Sequence, residues 1–312
     1  MMKQVKEQTM TYADDKMQTF VALLEEYTGS DGVHETAIPS LITFRASSTQ
    51  AKIPMVYEPA VVIVGQGKKY GYLGNQTYTY SASHYLALFL TMPLEVEIAE
   101  ASVDKPALMA GIKIDLNKIA TMLLKMDQVK QQPSLIETQT VSSIFSDVLD
   151  DDLLDPAIRL LQTLDNSTDR LMLSDLIIEE IYYRILCHDQ TGALQRLLGQ
   201  QGQIQQIAKA VTYIHDHIEQ AVSVEELASL VGMSVPTFYR SFKTVMHLSP
   251  LQYAKSIKLF KAHMMIQGGK RVSEAGYMVG YNSPSQFSRE FKRHFGVSPS
   301  AITINFQPPT IQ

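Results

Sequence analysis

The sequence predicts an α+β fold, in which an N-terminal β-barrel or sandwich precedes a helical segment and an all-α region. Short apolar runs separated by glycine fill residues 41–114, as is typical of many closely spaced strands. From Asp115 onward the apolar period is that of helices. Near the C-terminus one six-residue pattern occurs twice, which indicates a repeated supersecondary unit.

Composition fits two soluble domains. The 312 residues, 45% of them hydrophobic, can fill two ordinary cores. No run of eighteen apolar residues is present, and residues 1–11 lack the apolar stretch of a signal peptide, so we expect a cytoplasmic protein without membrane contact. The single cysteine, Cys187, excludes an intramolecular disulfide, and its apolar neighbours predict a packed helix position.

Charge divides the chain into two unlike parts. Residues 203–312 contain 11 basic and 6 acidic side chains, a net charge of +5, whereas residues 1–202 contain 16 and 26, a net charge of −10. This asymmetry is typical of a nucleic-acid-binding module attached to another domain, although charge alone would also fit a solvated surface.

Five segments in the first half have the composition of strands. Gly74 and Asn75 form a turn signal between two aromatic-rich runs. The predicted strands are Ala60–Val64, Lys68–Leu73, Tyr78–Tyr80, Tyr85–Leu90 and Leu94–Glu100. Three or four helices are expected after them, up to residue 198, and the glycines and glutamines of residues 199–206 predict a linker.

The C-terminal repeat predicts two helix-turn-helix units. Residues 238–243 (FYRSFK) recur 49 positions later as residues 287–292 (FSREFK). A short amphipathic segment and a glycine turn precede each copy. The predicted helices are Val224–Val231 and Val235–Met246 in the first unit, and Val272–Val279 and Pro284–His294 in the second.

Each repeat places aromatic side chains inward and an arginine outward. Phe238 and Phe242 share one helix face, and Arg240 lies about 200° around the helix from Phe238. An outward arginine on such a helix can donate two hydrogen bonds to guanine, which is worth about 1–3 kcal/mol of discrimination. A single arginine would more often be merely solvated, but its recurrence as Arg289 favours DNA readout.

Further side chains share the exposed face of each second helix. Lys243 and Lys292 are better placed for phosphates, where they would add affinity without specificity. The residues predicted to contact bases are Pro236, Thr237, Tyr239, Arg240, Pro284, Ser285, Gln286 and Arg289.

A long helix is predicted between the two units. Ser249 can cap it, Pro250 suits its first position, and Gly268-Gly269 ends it. About 17 residues at 1.5 Å each give about 25 Å. Such a rod could hold two recognition helices about 34 Å apart, so that one chain reads two adjacent major grooves of double-stranded DNA.

Residues 205–305 resemble the DNA-binding domain of the AraC/XylS family of bacterial transcription regulators. The stretches that carry the resemblance are Val279–Phe291 and Gly296–Pro299. It implies seven helices, with the third and sixth reading DNA through Pro236, Tyr239, Arg240, Ser285, Gln286 and Arg289. We further expect that DNA occupancy recruits or blocks RNA polymerase.

The N-terminal region is similar to the cupin-like regulatory domain of one AraC subgroup, in residues 57–59, 64–68, 78–80, 84–86 and 100–102. The resemblance implies a barrel that binds a small effector or mediates dimerisation. Aromatic side chains in this region would suit a small, partly apolar effector, although such residues are also common in cores. They are Tyr57, Tyr70, Tyr72, His84 and Phe89.

The predicted divisions are an extension (1–40), a cupin-like domain (41–198, barrel 41–114 and dimerising helices 115–198), a linker (199–206) and a DNA-binding domain (207–305).

A metal-dependent enzyme and a ligand-independent regulator are the alternatives to a ligand-sensing activator. A metal-dependent cupin enzyme would need a His-x-His pair on a strand, and none of His34, His84 and His188 forms one. His215 and His217 have that spacing but lie on a predicted helix, where they point to different sides. We therefore expect no catalytic site, metal or cofactor. A ligand-independent regulator that uses its N-terminal domain only as a homodimer contact remains open.

Overall fold

A computed structural model describes residues 15–129, 143–188 and 203–302 of the chain, and its architecture is the predicted α+β fold. An antiparallel sheet with flanking helices forms the N-terminal half, and the described C-terminal residues are helical. The two halves are in direct contact, because their buried apolar side chains form one continuous core.

The described residues contain ten strands, and five of them match the predicted segments. The strands are β1 Gly32–Glu35, β2 Leu41–Ala46, β3 Gln50–Tyr57, β4 Ala60–Gln66, β5 Lys68–Leu73, β6 Gln76–Ser81, β7 His84–Leu88, β8 Met92–Glu100, β9 Ala107–Lys113 and β10 Ile144–Val148. Successive side chains of each strand point to opposite faces of the sheet. On β5, Lys69 and Gly71 are buried on the inner face, whereas Tyr70 and Tyr72 lie on the outer face.

The sheet is a half-barrel. Its strands follow the order β1-β2-β9-β4-β7-β6-β5-β8-β3, β10 also pairs with β7, and all pairings are antiparallel. Irregularities between Gln50 and Ile53 on β3 and after Val64 on β4 bend the sheet, as bulges do.

A first helix, α1, includes residues 15–26 and covers the outer face of β4. Its Phe20 and Leu24 are completely buried, and a Cβ on Gly65 of β4 would lie 2.8 Å from Leu24 Cδ1. Lys16 pairs with Asp151 and Asp155 at 2.8 and 2.9 Å. Residues 15–35 of the predicted extension are therefore folded onto the sheet, because their apolar side chains complete its core.

Three helices follow the sheet, namely α2 Leu116–Val129, α3 Asp151–Gln162 and α4 Ser167–His188. The prediction that residues 115–198 are wholly helical is wrong for β10, whose backbone pairs with β7.

The prediction that Cys187 is a packed helix residue is also wrong. Its thiol is exposed, because Cys187 lies one turn beyond the exposed Tyr183 rather than on the buried face of α4.

The C-terminal helices have nearly the predicted boundaries. They are α5 Gln203–Asp216, α6 Val224–Leu230, α7 Val235–Met246, α8 Pro250–Gln267, α9 Val272–Met278 and α10 Pro284–Phe295. A short 3-10 turn follows at Pro299–Ala301. Residues 203–206, predicted as linker, belong to α5, where Ile204 and Ile207 are buried. Residues 199–202 of that linker lie outside the described residues.

Two hydrophobic cores support the two helix-turn-helix units differently. One core runs from the half-barrel through α5, α6 and α7 to Ile257 in the middle of α8. The second core begins at Leu259 of α8 and includes Phe287 and Phe291 of α10. The first unit therefore shares its core with the half-barrel, and α8 is the element common to both cores.

Candidate nucleic-acid interface

Helix α7 is held in place by its ends. Gly232 takes a φ of +67° in the turn before it, a conformation that glycine adopts without strain. The hydroxyl of Ser234 accepts the Thr237 N–H at 3.4 Å and caps the helix, and Pro236 lies in the first turn. His247 ends the helix in the left-handed region, with φ of +58°.

Helix α10 repeats the arrangement. The hydroxyl of Ser283 accepts the Gln286 N–H at 3.3 Å, and Pro284 is the first helical residue. Gly280 in the preceding turn has a φ of +88°, and a Cβ there would lie 2.1 Å from the Glu219 carbonyl oxygen. A glycine is therefore required at this turn, where the second unit approaches the loop after α5.

The two helices bury the predicted aromatic pairs. Phe238, Phe242 and Phe291 are completely buried, and Phe287 is 1% exposed. Each helix consequently presents its other face to solvent. The predicted contact residues are all exposed: Pro236, Thr237, Tyr239, Arg240, Lys243, Pro284, Ser285, Gln286, Arg289 and Lys292. In the first unit, Pro236, Tyr239, Arg240 and Lys243 line one shallow surface.

Helix α8 joins the units as the predicted long rod. It has 18 residues, and Ser249 and Gln252 form a reciprocal capping box at its start. Lys255 in this helix pairs with Glu290 of α10 at 2.8 Å, and the Tyr281 hydroxyl donates to the same carboxylate at 2.9 Å. Helix α10 is thereby tied to α8 through Glu290, the residue after the exposed Arg289.

Partial burial acts to raise the pKa of Glu290, but hydrogen bonds from Lys255, Tyr281 and Gln286 outweigh it and lower that pKa below its usual value. The carboxylate therefore stays ionised at neutral pH. A charged anchor of this kind fixes the angle of α10 on α8.

The half-barrel is bonded to the first unit. The fully buried Tyr253 of α8 donates its hydroxyl hydrogen to the Thr91 carbonyl at 2.8 Å. His215 Nε2 lies 2.9 Å from the same hydroxyl, so it must be the donor in that contact. Burial, reinforced by Lys261, lowers the pKa of His215 to about 4. Ser143 Oγ adds a bond of 2.7 Å to the Val245 carbonyl at the end of α7.

The five residues suggested for an effector do not form one pocket. Tyr57 lies on the inner face of the half-barrel, whereas Tyr70 and Tyr72 lie on the outer face, where the Tyr72 hydroxyl donates to Glu97 at 2.6 Å. His84 lines a separate cleft of about 480 Å³ between β6, β10 and His247. Phe89 is completely buried and stacks on Phe145.

One buried side chain of the half-barrel was missed in the sequence. Lys69, on the inner face of β5, donates to the Tyr57 hydroxyl at 2.9 Å, and that hydroxyl lies 3.0 Å from the hydroxyl of Tyr80. Burial, together with the adjacent Tyr57, raises the pKa of Tyr80, so its hydroxyl is neutral. The alternation of Lys69 with Leu73 on a predicted strand was the signal that could have located it.

The described ranges contain neither a metal-binding cluster nor a membrane-spanning helix. No group of three or more His, Cys, Asp or Glu side chains in residues 15–129, 143–188 and 203–302 is arranged to hold a metal ion. None of the helices described over those ranges has the length and hydropathy needed to cross a bilayer.

Two family models match the sequence. The model described as the N-terminus of AraC-type transcriptional regulators matches residues 37–193, which are half of the chain. A helix-turn-helix domain model matches residues 227–303, which include α7, α8 and α10.

Curated relatives match parts of the chain. The probable transcriptional regulator LumQ of Photobacterium leiognathi is 35% identical over 89 residues, which are 28% of this chain and 36% of that protein. The lactose operon transcription activator of Staphylococcus xylosus is 26% identical over 152 residues, which are 48% of this chain and 54% of that protein. The matches thus span only about a third to a half of these relatives.

Solved structures of ToxT from Vibrio cholerae share the fold. An apo ToxT variant has a TM-score of 0.51 at 11% identity, covering 85% of this chain and 97% of that one. Wild-type ToxT with a bound unsaturated fatty acid has a TM-score of 0.52 at 13% identity, covering 84% and 92%. At these identities the similarity concerns architecture.

Proposed function

Because the chain belongs to the family of AraC-type transcriptional regulators, we propose that it binds specific DNA sequences by placing α7 and α10 in two adjacent major grooves. The observation that carries the proposal is the equivalence of these two helices. Both begin at a serine cap after a glycine turn, both bury a phenylalanine pair, and both expose an arginine between the two phenylalanines.

The proposed roles follow the chemistry of the exposed faces. Arg240 and Arg289 would each donate two hydrogen bonds to a guanine edge. Lys243 and Lys292, one turn further along, would neutralise phosphates. The remaining base contacts are proposed for Pro236, Thr237, Tyr239, Pro284, Ser285 and Gln286.

The spacing of the two helices supports reading by a single chain. At 1.5 Å per residue the 18 residues of α8 extend about 27 Å, which suits two elements separated by about one helical turn of DNA. The Lys255–Glu290 pair and the close approach of Gly280 to Glu219 favour a fixed angle between the units. Both sites should therefore lie on one face of the duplex.

We also propose that the half-barrel senses a small molecule and passes the signal to the first unit. The shared core and the bond between Tyr253 and Thr91 support this route, because a displacement of the half-barrel would reach α7 and α8 directly. The ligand-independent alternative keeps the same contacts and predicts no response to any effector.

A homodimer is proposed through one face of α4. Met172, Leu176 and Tyr183 are 63%, 62% and 44% exposed and share a stripe along this helix. A second copy is the proposed occupant, because the stripes of two copies can pack against each other about a two-fold axis.

RNA polymerase is the further partner that we propose for the DNA-bound form. The chain would then act as a transcription activator, as the name of the S. xylosus relative describes for that protein.

Capture of sheared genomic DNA by the purified chain at physiological salt, followed by sequencing, tests the DNA-binding proposal. We expect sharp peaks that contain two short elements about one helical turn apart. Arg240→Ala/Arg289→Ala double-variant protein is the matched control, and it should retain DNA weakly and uniformly. Uniform retention by the unaltered chain, with and without cell extract as a source of effector, would contradict the proposal.

A further inference from the structure

Lys69 is the one lysine among the described residues that is buried inside the half-barrel. Its side chain is 5% exposed, and it points inward from β5 between Tyr80 of β6 and Ile98 of β8. Lysine is almost never buried to this extent unless its charge has a partner. The surroundings of its Nζ therefore indicate what the site is built to hold.

Aromatic groups provide the surroundings of the Lys69 amine. Nζ lies 4.8 Å from the ring centre of Phe44, 5.5 Å from that of Tyr57 and 5.9 Å from that of Tyr80. The Tyr57 hydroxyl accepts one of its three N–H groups at 2.9 Å. Ring faces attract ammonium groups, so the three rings favour the position of this side chain.

No carboxylate in the described part of the chain lies within 4 Å of Lys69 Nζ. The neighbouring strand does carry acids, but Glu95 and Glu97 of β8 alternate with buried Val96 and lie on the outer face. Lys68 provides the contrast. It is on the outer face of the same strand and pairs with Glu100 at 3.8 Å.

A buried amine with one hydrogen-bond acceptor is incompletely satisfied. An ammonium group has three donors, and the only acceptor found for them in the described ranges is the Tyr57 hydroxyl. Cation–π contacts offset only part of the loss of hydration. An anionic group would accept the remaining donors and neutralise the charge, which in this setting is a strong interaction.

Some side chains near the amine are only partly buried. They are Phe44 and Tyr57, whose rings face the Lys69 amine, and Met55, which lies on the same strand as Tyr57. Met55 is an unbranched, adaptable side chain, and Gly71 leaves the neighbouring inward position of β5 without a side chain. An organic molecule that reaches Lys69 would therefore displace these side chains.

We propose that the half-barrel binds an organic carboxylate, whose acid group pairs with Lys69 and whose apolar or aromatic body lies against Phe44, Met55 and Tyr57. This inference rests on the proposed sensing function, and it names the class of effector. The cleft beside His84 has no Lys, Arg, Asp or Glu in its lining, so it would take neutral molecules instead.

The test uses thermal unfolding of the full chain with monocarboxylates from acetate to decanoate, benzoate and phenylacetate, each paired with its neutral amide. At a concentration about one hundred times Kd, an acid that binds the native state should raise Tm by about 5 °C. Its amide should not. Lys69→Met should abolish the response, whereas Lys68→Met, the control on the outer face, should keep it.

The stability of the variants separates a ligand site from a structural lysine. Without ligand, Lys69→Met should have a Tm equal to or above that of the unaltered chain, because it replaces a buried amine with a single hydrogen-bond acceptor by an apolar side chain of similar length. A large fall in Tm would mean that Lys69 is structural and would overturn the inference. So would an equal response to acid and amide, an unchanged response in Lys69→Met, or no response to any acid.

Genomic DNA capture with the same proteins distinguishes this inference from the function on which it rests. Specific capture by the unaltered chain without any acid-selective response would refute only the carboxylate site. Loss of specific capture by the unaltered chain under all conditions would refute the regulator itself. Lys69→Met is expected to retain DNA binding, because Lys69 is a buried residue of β5 and is not one of the exposed side chains of α7 and α10.

Discussion

The hydroxyl of Tyr253 donates a hydrogen bond of 2.8 Å to the carbonyl of Thr91, and the two residues are 162 positions apart. The helix that joins the two DNA-reading units is thus bonded to the half-barrel. His215 of α5 also hydrogen-bonds to this hydroxyl, so one oxygen atom connects the half-barrel, α5 and α8.

Tyr253→Phe should lower the free energy of unfolding by about 1–3 kcal/mol, because it leaves the buried carbonyl of Thr91 and the donor of His215 without partners and creates no cavity. Urea unfolding monitored by far-UV circular dichroism measures the change. Tyr277→Phe is the control, since Tyr277 is 74% exposed and its variant should match the unaltered chain. Equal stability of all three proteins would mean that the junction contributes nothing.

Acid should weaken the same junction. The pKa of His215 is about 4 in the folded chain, mainly because of burial, against 6.5 for the free side chain. Between these values the unfolded chain binds the proton and the folded chain does not, so stability falls as pH decreases from about 6.5 to about 4. At pH 5 the His215 contribution is on the order of 1–2 kcal/mol.

His215→Gln supplies the comparison for that pH dependence, because glutamine does not titrate. Burial also lowers the pKa of His263 to about 4, but His263 is present in both proteins and its effect cancels in the difference. Stability measured at pH 7 and pH 5 should decline less in His215→Gln. Parallel declines would show that His215 is not the titrating group.

Glu290→Gln should loosen α10 on α8. The substitution keeps the shape of the side chain but removes the charge that holds Lys255 and Tyr281, and bonds to charged groups are worth about 1.5–3 kcal/mol. We expect a loss near the lower end of this range, because the carboxylate is 26% exposed. The exposed pair Lys270–Glu274 is the control, and Glu274→Gln should cost under about 0.5 kcal/mol.

Leu176→Glu should dissociate the proposed homodimer without destabilising the monomer. Leu176 is 62% exposed in the described chain, so a charge there costs little in the monomer but would be buried in the α4 contact. Sedimentation equilibrium should give twice the chain mass for the unaltered protein and the chain mass for the variant. Val103→Glu, at another exposed apolar position, should leave the mass unchanged.

The local features of the molecule were predictable from the sequence because short-range physics sets them. The caps at Ser234, Ser249 and Ser283 and the inward phenylalanines depend on neighbours within one helical turn. Five of the ten described strands were predicted from their apolar runs and turns. In each case the pattern and the structure are governed by the same few adjacent residues.

Features that depend on distant partners could not be predicted in this way. Strand β10 is short and follows a helical region, and it is extended because β7 offers it backbone partners. The bond from Tyr253 to Thr91 requires two domains to meet. The aromatic effector candidates were chosen by residue type alone, and alternation on β5 then separated Tyr70 and Tyr72 from the inward Lys69.

The central claim is that one chain reads DNA with two helices. Selection of duplexes from a random pool by the unaltered chain and three variants tests it most directly. The unaltered chain should enrich two elements about one helical turn apart. Arg240→Ala should lose preference in one element only, and Arg289→Ala in the other, while Lys292→Ala should weaken binding to all sequences alike as a separate control. Identical sequence preferences in the unaltered chain and both arginine variants would contradict the account.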